Sequence, residues 1–293
     1  MIFDFEKYYA DRQKLINTFI EKRMSYKALT TVDEAMKYSL LAGGKRIRPI
    51  LLMAAADAIG VNGYNFLNLA AGLEMIHTYS LIHDDLPCMD NDDYRRGSLT
   101  NHKVYGEAMA LLAGDGLLTL AFEVLLEQKK LPAEKLLQIV HEIAMCAGSY
   151  GMVGGQAMDL AFENKAISAE ELKKLHAGKT GAMFIAAIRS GAIAAGAIDK
   201  ELLALTKFAD LFGLAFQISD DIMDVTCTKE TMGKNPGSDE KLHKSTYVSL
   251  FGLDGAKKLL AETIAEAEAC VDIFEDRGKP LLRLVQMLSE RKH

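Results

Sequence analysis

Apolar residues recur every three or four positions along most of this chain, which is the spacing of one face of an α-helix. Leu69, Leu73 and Ile76 form one such run, and a second begins at Leu205. Strict alternation of apolar and polar residues, which indicates a half-buried strand, is nearly absent. Residue types that favour helices, such as alanine, leucine and glutamate, fill most of the sequence. The pattern therefore predicts an all-α protein.

Several predicted helices are apolar on nearly every face, and such helices need other helices around them. The longest apolar stretches run from Gly181 to Ile198 and from Ala108 to Leu126, and charged residues interrupt both. A membrane span needs about 20 predominantly apolar residues, and a charge in its middle is costly. We therefore expect buried helices of a large bundle, without stable membrane insertion.

Clusters of glycine, proline and polar residues mark the expected breaks between helices. No fixed-period repeat, low-complexity run or long linker divides the sequence, so we expect a single domain over residues 1–293. The expected breaks are Ala42 to Pro49, Gly60 to Tyr64, Pro87 to Thr100, Lys129 to Pro132, Glu163 to Ser168, Ala195 to Lys200, Thr226 to Lys241 and Gly278 to Pro280.

Composition and charge argue against several kinds of partner. The formal net charge of -6 disfavours a broad surface for nucleic acid or anionic membranes, so phosphate-binding cations should be few and local. The four cysteines form no C-x-x-C pair, which argues against a zinc site or a disulfide framework. Met1 to Lys14 has neither the plan of a secretory signal nor that of a transit peptide. We expect a cytoplasmic protein that binds no nucleic acid.

A first aspartate cluster, Asp84, Asp85 and Asp90, lies at the carboxyl end of the helix predicted to begin near Leu69. The negative end of a helix dipole disfavours anions, and these carboxylates repel one another unless a cation neutralises them. Mg²⁺ is the expected cation, because it takes hard oxygen ligands and keeps positions for substrate phosphates. A solvated, polar helix end is the alternative interpretation.

The spacing of this cluster predicts a break in the helix. Six residues turn an ideal helix by about 600°, which leaves Asp90 roughly 240° from Asp84 around the axis. The ring of Pro87 clashes with the carbonyl group four residues earlier, so it ends or distorts the helix around His83 or Asp84. Asp90 can then return by a loop.

A second cluster contains Asp220, Asp221 and Asp224. Asp220 and Asp224 are one helical turn apart and share a face with Gln217. Because this stripe lies in an otherwise apolar helix, where uncompensated carboxylates are costly, it implies a metal ion or a cationic partner. A solvated face near the end of the helix is the alternative.

Cationic residues that could bind phosphate accompany both clusters. Arginine and lysine are the usual phosphate partners, and their mixture with aspartates indicates phosphate held both directly and through metal. Taken singly, each is more often a solvated surface charge, except Lys179, which has largely apolar neighbours. His77 is about 20° from Asp84 around a helix, so it could line the same cavity or be a core histidine. The cations are Lys45, Arg46, Arg48, Arg95, Arg96, Lys179, Lys234 and Lys244.

Together these residues resemble the motifs of the short-chain trans-isoprenyl diphosphate synthases, in particular the bacterial farnesyl diphosphate synthases, or geranyltranstransferases. The resemblance covers most of the chain. It implies the isoprenoid synthase fold, a bundle of long, mostly antiparallel helices around a central cavity, and usually a homodimer. The matching segments are Leu41–Pro49, Glu74–Asp90, Arg95–Gly97, Gly154–Gln156, Lys179–Gly181, Phe216–Asp224 and Lys244–Tyr247.

The resemblance also implies the chemistry. Mg²⁺, in several copies and with Mn²⁺ as a possible substitute, would grip the diphosphate of an allylic substrate. The departure of that diphosphate would leave an allylic carbocation, which the double bond of isopentenyl diphosphate attacks. A proton is then lost to the departed diphosphate, so no side chain has to act as the base. The product is one isoprene unit longer than the allylic substrate.

The same resemblance gives a role to each motif residue. The implied metal ligands are Asp84, Asp85, Asp90, Asp220 and Asp224. The implied catalytic residues are Asp84, Asp85, Asp90, Lys179, Asp220 and Asp221. The implied contacts of the allylic diphosphate are Arg95, Lys179, Thr180, Gln217, Lys234 and Lys244. The implied contacts of isopentenyl diphosphate are Lys45, Arg48, His77 and Arg96.

Product length depends, in the family that this chain resembles, on a bulky residue about one turn below the first aspartates. Tyr79 fits that role, although an ideal wheel puts Ser80 under Asp84 and leaves Tyr79 about 140° around the axis. Tyr79 could also be only a core aromatic. With the two residues inserted before Asp90, it favours (E,E)-farnesyl diphosphate, made from dimethylallyl and then geranyl diphosphate. Geranyl and geranylgeranyl diphosphate are the alternative products.

Other functions fit the sequence less well. A terpene cyclase needs no second diphosphate site, so Lys45, Arg48 and His77 argue against it. A squalene-type synthase would carry differently spaced acidic motifs. A noncatalytic partner subunit of a heteromeric prenyl synthase would not need both aspartate clusters. A calcium-binding helical protein would carry a D-x-D-x-D-G loop, which the sequence lacks.

Overall fold

The computed structural model describes residues 3–25, 27–226 and 245–290. These residues are mostly helical, which confirms the predicted all-α class. Within the described ranges the strands are confined to one short antiparallel hairpin, β1 (Tyr94–Arg95) with β2 (Ser98–Leu99). The helices are α1 (Phe5–Arg23), α2 (Thr31–Leu41), α3 (Ile47–Ile59), α4 (Leu67–Asp84), α5 (Asn101–Tyr105), α6 (Glu107–Leu126), α7 (Ala133–Ala147), α8 (Met152–Phe162), α9 (Ala169–His176), α10 (Ala182–Ala195), α11 (Asp199–Thr226), α12 (Tyr247–Val271) and α13 (Lys279–Glu290).

Helix α10 lies in the centre of the bundle, packed against α3, α7 and α11. Most of its residues are buried, as the apolar stretch from Gly181 to Ile198 predicted. Small residues allow close packing, since a Cβ atom on Gly191 would lie 2.0 Å from the carbonyl oxygen of Leu52 in α3. Phe184 meets Phe212 of α11 edge to face, with 5.0 Å between ring centroids. Full burial of such a side chain stabilises the fold by roughly 1.5–3 kcal/mol.

Helix α6 is buried on its inner face only. Leu117 packs toward α4 without exposure, whereas Leu111 and Leu112 are 48% and 45% exposed. The expectation that Ala108 to Leu126 is buried therefore holds for one face and is wrong for the other, because α6 lies at the edge of the bundle. By length and composition alone, α6, the stretch Ala133–Phe162 and α11 could each cross a membrane. Here all of them pack against neighbouring helices.

Most of the expected breaks coincide with the observed helix ends, although the one from Thr226 to Lys241 lies almost wholly outside the described residues. Within the described residues, other interruptions were not expected from the sequence. They include residues 24–30 between α1 and α2, Gly106 between α5 and α6, residues 148–151 between α7 and α8, the turn Ala177–Gly181 between α9 and α10, and a kink of α12 at Gly252, where the φ angle is 71°. None of these contains a proline, which was the clearest breaking signal elsewhere.

Candidate active site

The carboxyl end of α4 carries the first aspartate cluster. The helix ends at Asp84, three residues before Pro87, and the chain turns back on itself. The backbone N–H of Asp90 then donates to the carbonyl oxygen of Asp84 at 2.9 Å. Both parts of the geometric prediction, the interrupted helix and the returning loop, are confirmed.

The charges of this cluster act on one another. Burial raises the pKa of Asp84 to about 6; Lys179 and Arg95 oppose the rise, and Asp90 and Asp85 add to it. Asp85 differs from Asp84 in its partner, because its buried carboxylate forms an ion pair with the guanidinium of Arg95. Arg95 Nε lies 2.7 Å and 2.9 Å from the two carboxylate oxygens, and Arg95 Nη2 lies 2.6 Å from Oδ1. Neither partner of this pair was expected to bind the other.

The β1–β2 hairpin directs the side chains of the neighbouring residues Arg95 and Arg96 to different partners. Its turn residues, Arg96 and Gly97, have φ angles of 54° and 79°, and two consecutive positive φ angles fit the tight turn of a two-residue hairpin. Arg95 reaches Asp85, whereas Arg96 Nη1 donates to the carbonyl oxygen of Gly43. The turn thereby connects the first aspartate cluster with the segment that precedes α3.

The second aspartate cluster lies on α11, which runs unbroken through it as predicted. Asp224 is buried and Asp220 is half-buried. Asp221 Oδ2 accepts a hydrogen bond of 2.8 Å from the backbone N–H of Tyr247, the first residue of α12. A carboxylate at a helix amino terminus is stabilised by the helix dipole, so Asp221 joins α11 to α12. Its catalytic role stays a prediction.

Lys179 and Thr180 lie in a π-helical turn, Ala177–Gly181, between α9 and α10. No break was expected between Ser168 and Ala195, which implied one continuous helix through Lys179 and Thr180, and this is wrong. A Cβ atom on Gly155 would lie only 2.0 Å from the backbone nitrogen of Lys179, so this glycine lets α8 approach the turn. Single π-helical turns are rare and are frequent at functional sites.

Two residues of α8 that the sequence analysis missed lie near this turn. Asp159 Oδ2 is 2.6 Å from Lys179 Nζ. Gln156 has both amide atoms buried, with no hydrogen-bond partner for either in the described part of the chain. The signal was available, because Gln156 closes a matched motif and Asp159 follows it by three residues on the same helix face. Thr180 completes the link to α11, since its hydroxyl donates to Gln217 Oε1 at 3.0 Å.

A cationic group lies at the start of α3, beside α4. Arg48 Nη1 is 3.2 Å from His77 Nε2, and the Arg48 guanidinium lies over the ring of Phe184. Burial lowers the pKa of Arg48 to about 10; Glu74 and Asp220 oppose the fall, and Arg96 adds to it. Burial and the surrounding arginines hold the pKa of His77 well below its usual value. Because a guanidinium can only donate, the neutral His77 ring accepts at Nε2.

Contacts and charges relate these groups to one another. The π-helical turn lies between the two aspartate clusters, since Lys179 lowers the pKa of Asp84 and Thr180 bonds Gln217 of α11. The charge of Asp220 acts on the pKa of Arg48, so the second cluster lies near the cationic group at the start of α3. Lys45 is exposed at the edge of this region. Lys234 and Lys244 lie outside the described residues.

The donor set suits a metal ion that is shared with a ligand. Among residues 3–25, 27–226 and 245–290, no group of three histidine, cysteine, aspartate or glutamate side chains could hold a metal by itself. Mg²⁺ is usually bound by one or two carboxylates together with substrate phosphates, rather than by an all-protein cage. Burial raises the pKa of Asp84, and repulsion from Asp90 and Asp85 adds to the rise; a divalent cation would favour the charged form of these carboxylates. The aspartates therefore fit such an ion.

Tyr79 and Ser80, the two candidates for control of product length, differ in burial and partners. Tyr79 is buried, and its ring meets His83 edge to face with 5.6 Å between centroids. Burial, with the nearby charge of Asp84, raises the pKa of Tyr79. Ser80 is half-buried, and its hydroxyl donates to the carbonyl oxygen of His77 at 2.9 Å. Of the two, Tyr79 is the bulky side chain packed inside the bundle.

Comparisons with known proteins extend over nearly the whole chain. The polyprenyl synthetase family model matches residues 30–277. The chain is 46% identical to the farnesyl diphosphate synthase of Geobacillus stearothermophilus over 264 residues, covering 89% of each protein. It is 41% identical to the geranylgeranyl diphosphate synthase of Cyanophora paradoxa, covering 99% of this chain and 98% of that one. The solved geranylgeranyl pyrophosphate synthetase of Pyrococcus horikoshii superposes with a TM-score of 0.90 at 29% identity, covering 98% and 99%.

Proposed function

Since the chain belongs to the polyprenyl synthetase family and is a short-chain prenyltransferase, we propose that its product is (E,E)-farnesyl diphosphate. It condenses isopentenyl diphosphate with dimethylallyl diphosphate, and then with the geranyl diphosphate so formed, releasing diphosphate each time. Geranylgeranyl diphosphate synthase is the second candidate, because relatives of similar identity carry that name.

The proposal rests on two groups of opposite charge, an acidic one and a cationic one, which lie near each other where Asp220 acts on Arg48. The acidic site, around Asp84 and Asp220, suits an allylic diphosphate held through metal. The cationic site, around Arg48 and His77, suits a second diphosphate held directly. A terpene cyclase would need only the first. Two adjacent sites are what a reaction between two bound diphosphates requires.

The polyprenyl synthetase family uses divalent metal ions, and here the five aspartates predicted from the sequence are the proposed ligands. When bound, such ions act as Lewis acids that stabilise the charge of the departing diphosphate. Lys179, which lies near Asp84, adds a positive charge on the same side. The ion pair with Asp85 holds Arg95 beside the first aspartate cluster. The ligands are Asp84, Asp85, Asp90, Asp220 and Asp224.

Tyr79 is the proposed floor of the pocket that accommodates the growing chain. It is bulky, buried, and close enough to Asp84 for the carboxylate to act on its hydroxyl. The names of the relatives do not decide product length, so this side chain is the basis on which we favour the farnesyl product.

We further infer a cytoplasmic homodimer in which residues 1–293 act as one domain. Large exposed apolar side chains are concentrated on α6, α7 and α8, which are consecutive and in contact. Such a concentration typically marks a protein interface. The exposed residues are Leu111, Leu112, Leu126, Leu137, Met145, Val153 and Leu160.

The test is direct. The protein is incubated with Mg²⁺, isopentenyl diphosphate and either dimethylallyl or geranyl diphosphate, and the products are separated by chain length. We expect farnesyl diphosphate from both allylic substrates, and no product after chelation of the metal. A mainly geranylgeranyl product would reject the farnesyl assignment, and no condensation at all would reject the enzyme activity.

A further inference from the structure

Three polar residues along one face of α1 contact the loop Gly43–Arg46, which leads into the cationic site. We propose that Tyr9, Gln13 and Asn17, hereafter the α1 stripe, are positioning residues for isopentenyl diphosphate. The proposal rests on the function proposed above. These residues touch no substrate themselves and act through the loop.

The α1 stripe reaches successive residues of the loop. Its members are four residues apart, so they lie on one face of the helix. Each bond ends on a different loop residue, and a single rigid helix therefore sets the position of the whole segment. The bonds run from Tyr9 Oη to the Lys45 carbonyl oxygen (2.6 Å), from Gln13 Nε2 to the Gly44 carbonyl oxygen (2.9 Å) and from Arg46 Nε to Asn17 Oδ1 (2.9 Å).

The loop needs such support, because its backbone is in an uncommon conformation. Gly43, Gly44 and Arg46 have φ angles of 83°, 137° and 53°. Glycine adopts positive φ angles readily, but arginine rarely does. A residue held in this region persists only where surrounding contacts fix it. The bond from Arg46 to Asn17 is one such contact.

The loop also contacts or precedes the cations that are proposed to bind isopentenyl diphosphate. Arg96 donates to the carbonyl oxygen of Gly43, and a Cβ atom on Gly44 would lie 2.8 Å from Arg96 Cζ. Arg46 also pairs with the buried Glu74 at 2.7 Å, and Arg96 Nη2 lies 3.7 Å from the same carboxylate oxygen. Arg48 follows the loop directly, in the first turn of α3. A shift of the loop would therefore move Arg48 and Arg96 together.

Docking of α1 on the bundle depends on other residues, which provides a matched control. The hydroxyl of Tyr8 donates to Asp57 of α3 at 2.6 Å, and Arg12 pairs with the same carboxylate. Tyr8→Phe and Tyr9→Phe each remove one hydroxyl from adjacent positions of the same helix. Only Tyr9→Phe removes a bond to the loop. Thr18→Ala, on the exposed side of α1, is a second control.

The experiment compares Tyr9→Phe and Gln13→Leu with Tyr8→Phe and Thr18→Ala in the full chain. KM is measured for isopentenyl diphosphate and for geranyl diphosphate, Kd of isopentenyl diphosphate by calorimetry, and Tm by thermal melting. We expect each stripe variant to raise KM and Kd for isopentenyl diphosphate roughly threefold to tenfold, which is the effect of losing one hydrogen bond. KM for geranyl diphosphate should stay unchanged. Tyr8→Phe should lower Tm without raising either constant. Asn17→Asp, which keeps an acceptor for Arg46, should restore binding relative to Asn17→Leu.

The inference would be overturned if Tyr9→Phe and Gln13→Leu both kept the wild-type KM and Kd for isopentenyl diphosphate. An equal rise in KM for isopentenyl diphosphate and for geranyl diphosphate would also overturn it. If the wild-type protein turns over isopentenyl diphosphate and the stripe variants match it, the inference fails and the proposed function stands. If the wild-type protein neither turns over nor binds isopentenyl diphosphate, both fail.

Discussion

Glu74 on α4 is the buried counter-charge of the cationic site, and its replacement by glutamine should destabilise the protein. The Glu74 and Arg46 side chains are each 2% exposed, and their charged atoms are 2.7 Å apart. Arg46 also donates to Asn17 and to the carbonyl oxygen of Leu40. These bonds keep its guanidinium inside the protein when the Glu74 carboxylate is removed. Glu74→Gln thus leaves a guanidinium buried without a carboxylate.

Removing one partner of a buried ion pair costs about 3–5 kcal/mol. With a urea m-value of about 3 kcal/mol/M, the unfolding midpoint should fall by about 1–1.7 M. The control is Glu262→Gln, which removes a carboxylate from the exposed pair with Lys258, 3.8 Å away. That change should alter stability by less than about 1 kcal/mol.

Urea unfolding followed by circular dichroism measures both variants, together with Arg46→Met and the double variant. Because the double variant removes both charges, it should be more stable than the sum of the single changes predicts, by a coupling energy of about 1–3 kcal/mol. A loss below about 1 kcal/mol in Glu74→Gln, or zero coupling, would refute the argument that Glu74 compensates the buried Arg46 charge.

Asp84→Ala and Asp220→Ala should each abolish Mg²⁺-dependent condensation while the far-ultraviolet circular dichroism stays unchanged; full turnover by either variant would contradict the metal assignment. Tyr79→Ala should lengthen the product, because it opens the proposed floor, and product chromatography would show this; an unchanged product length argues that Tyr79 is only a core aromatic. Gly155→Ala should reduce both Tm and kcat, since its Cβ atom would collide with the Lys179 backbone at 2.0 Å. Overpacking of this kind costs about 1–3 kcal/mol. Gly181→Ala in the same π-helical turn, where the nearest atom is 3.5 Å away, should keep wild-type Tm.

The helical fold was predictable because hydrophobic spacing is a local property of the sequence. The loop from Asp84 to Asp90 was predictable for the same reason, since Pro87 acts on a carbonyl group four residues away. The exposed outer face of α6 was not, because an apolar helix surface has the same sequence pattern whether a core or an interface covers it. Only the three-dimensional packing shows which face remains open.

The partners of the site residues were harder to predict, because they join distant parts of the chain. The Asp85–Arg95 pair depends on a hairpin turn, and the Lys179–Asp159 pair on a π-helical turn. The π-helical turn itself depends on the absence of a side chain at Gly155. Such contacts follow from tertiary packing, and no local spacing rule contains them. The role of Asp85 as a metal ligand stays a prediction.

Helix α4 carries His77 of the cationic site, Asp84 of the acidic site and Tyr79, the proposed floor of the product pocket, on one rigid element. His77 and Asp84 are seven residues apart, so the helix sets them about 10 Å apart along its axis. Inserting one residue between them would rotate everything beyond it by about 100° and destroy their alignment. With His77 and Asp84 in their proposed roles, the reaction constrains the length of α4 but not the size of the Tyr79 side chain. The proposed arrangement therefore predicts that a substitution at position 79 alone changes product length, without any change in the distance between the two bound substrates.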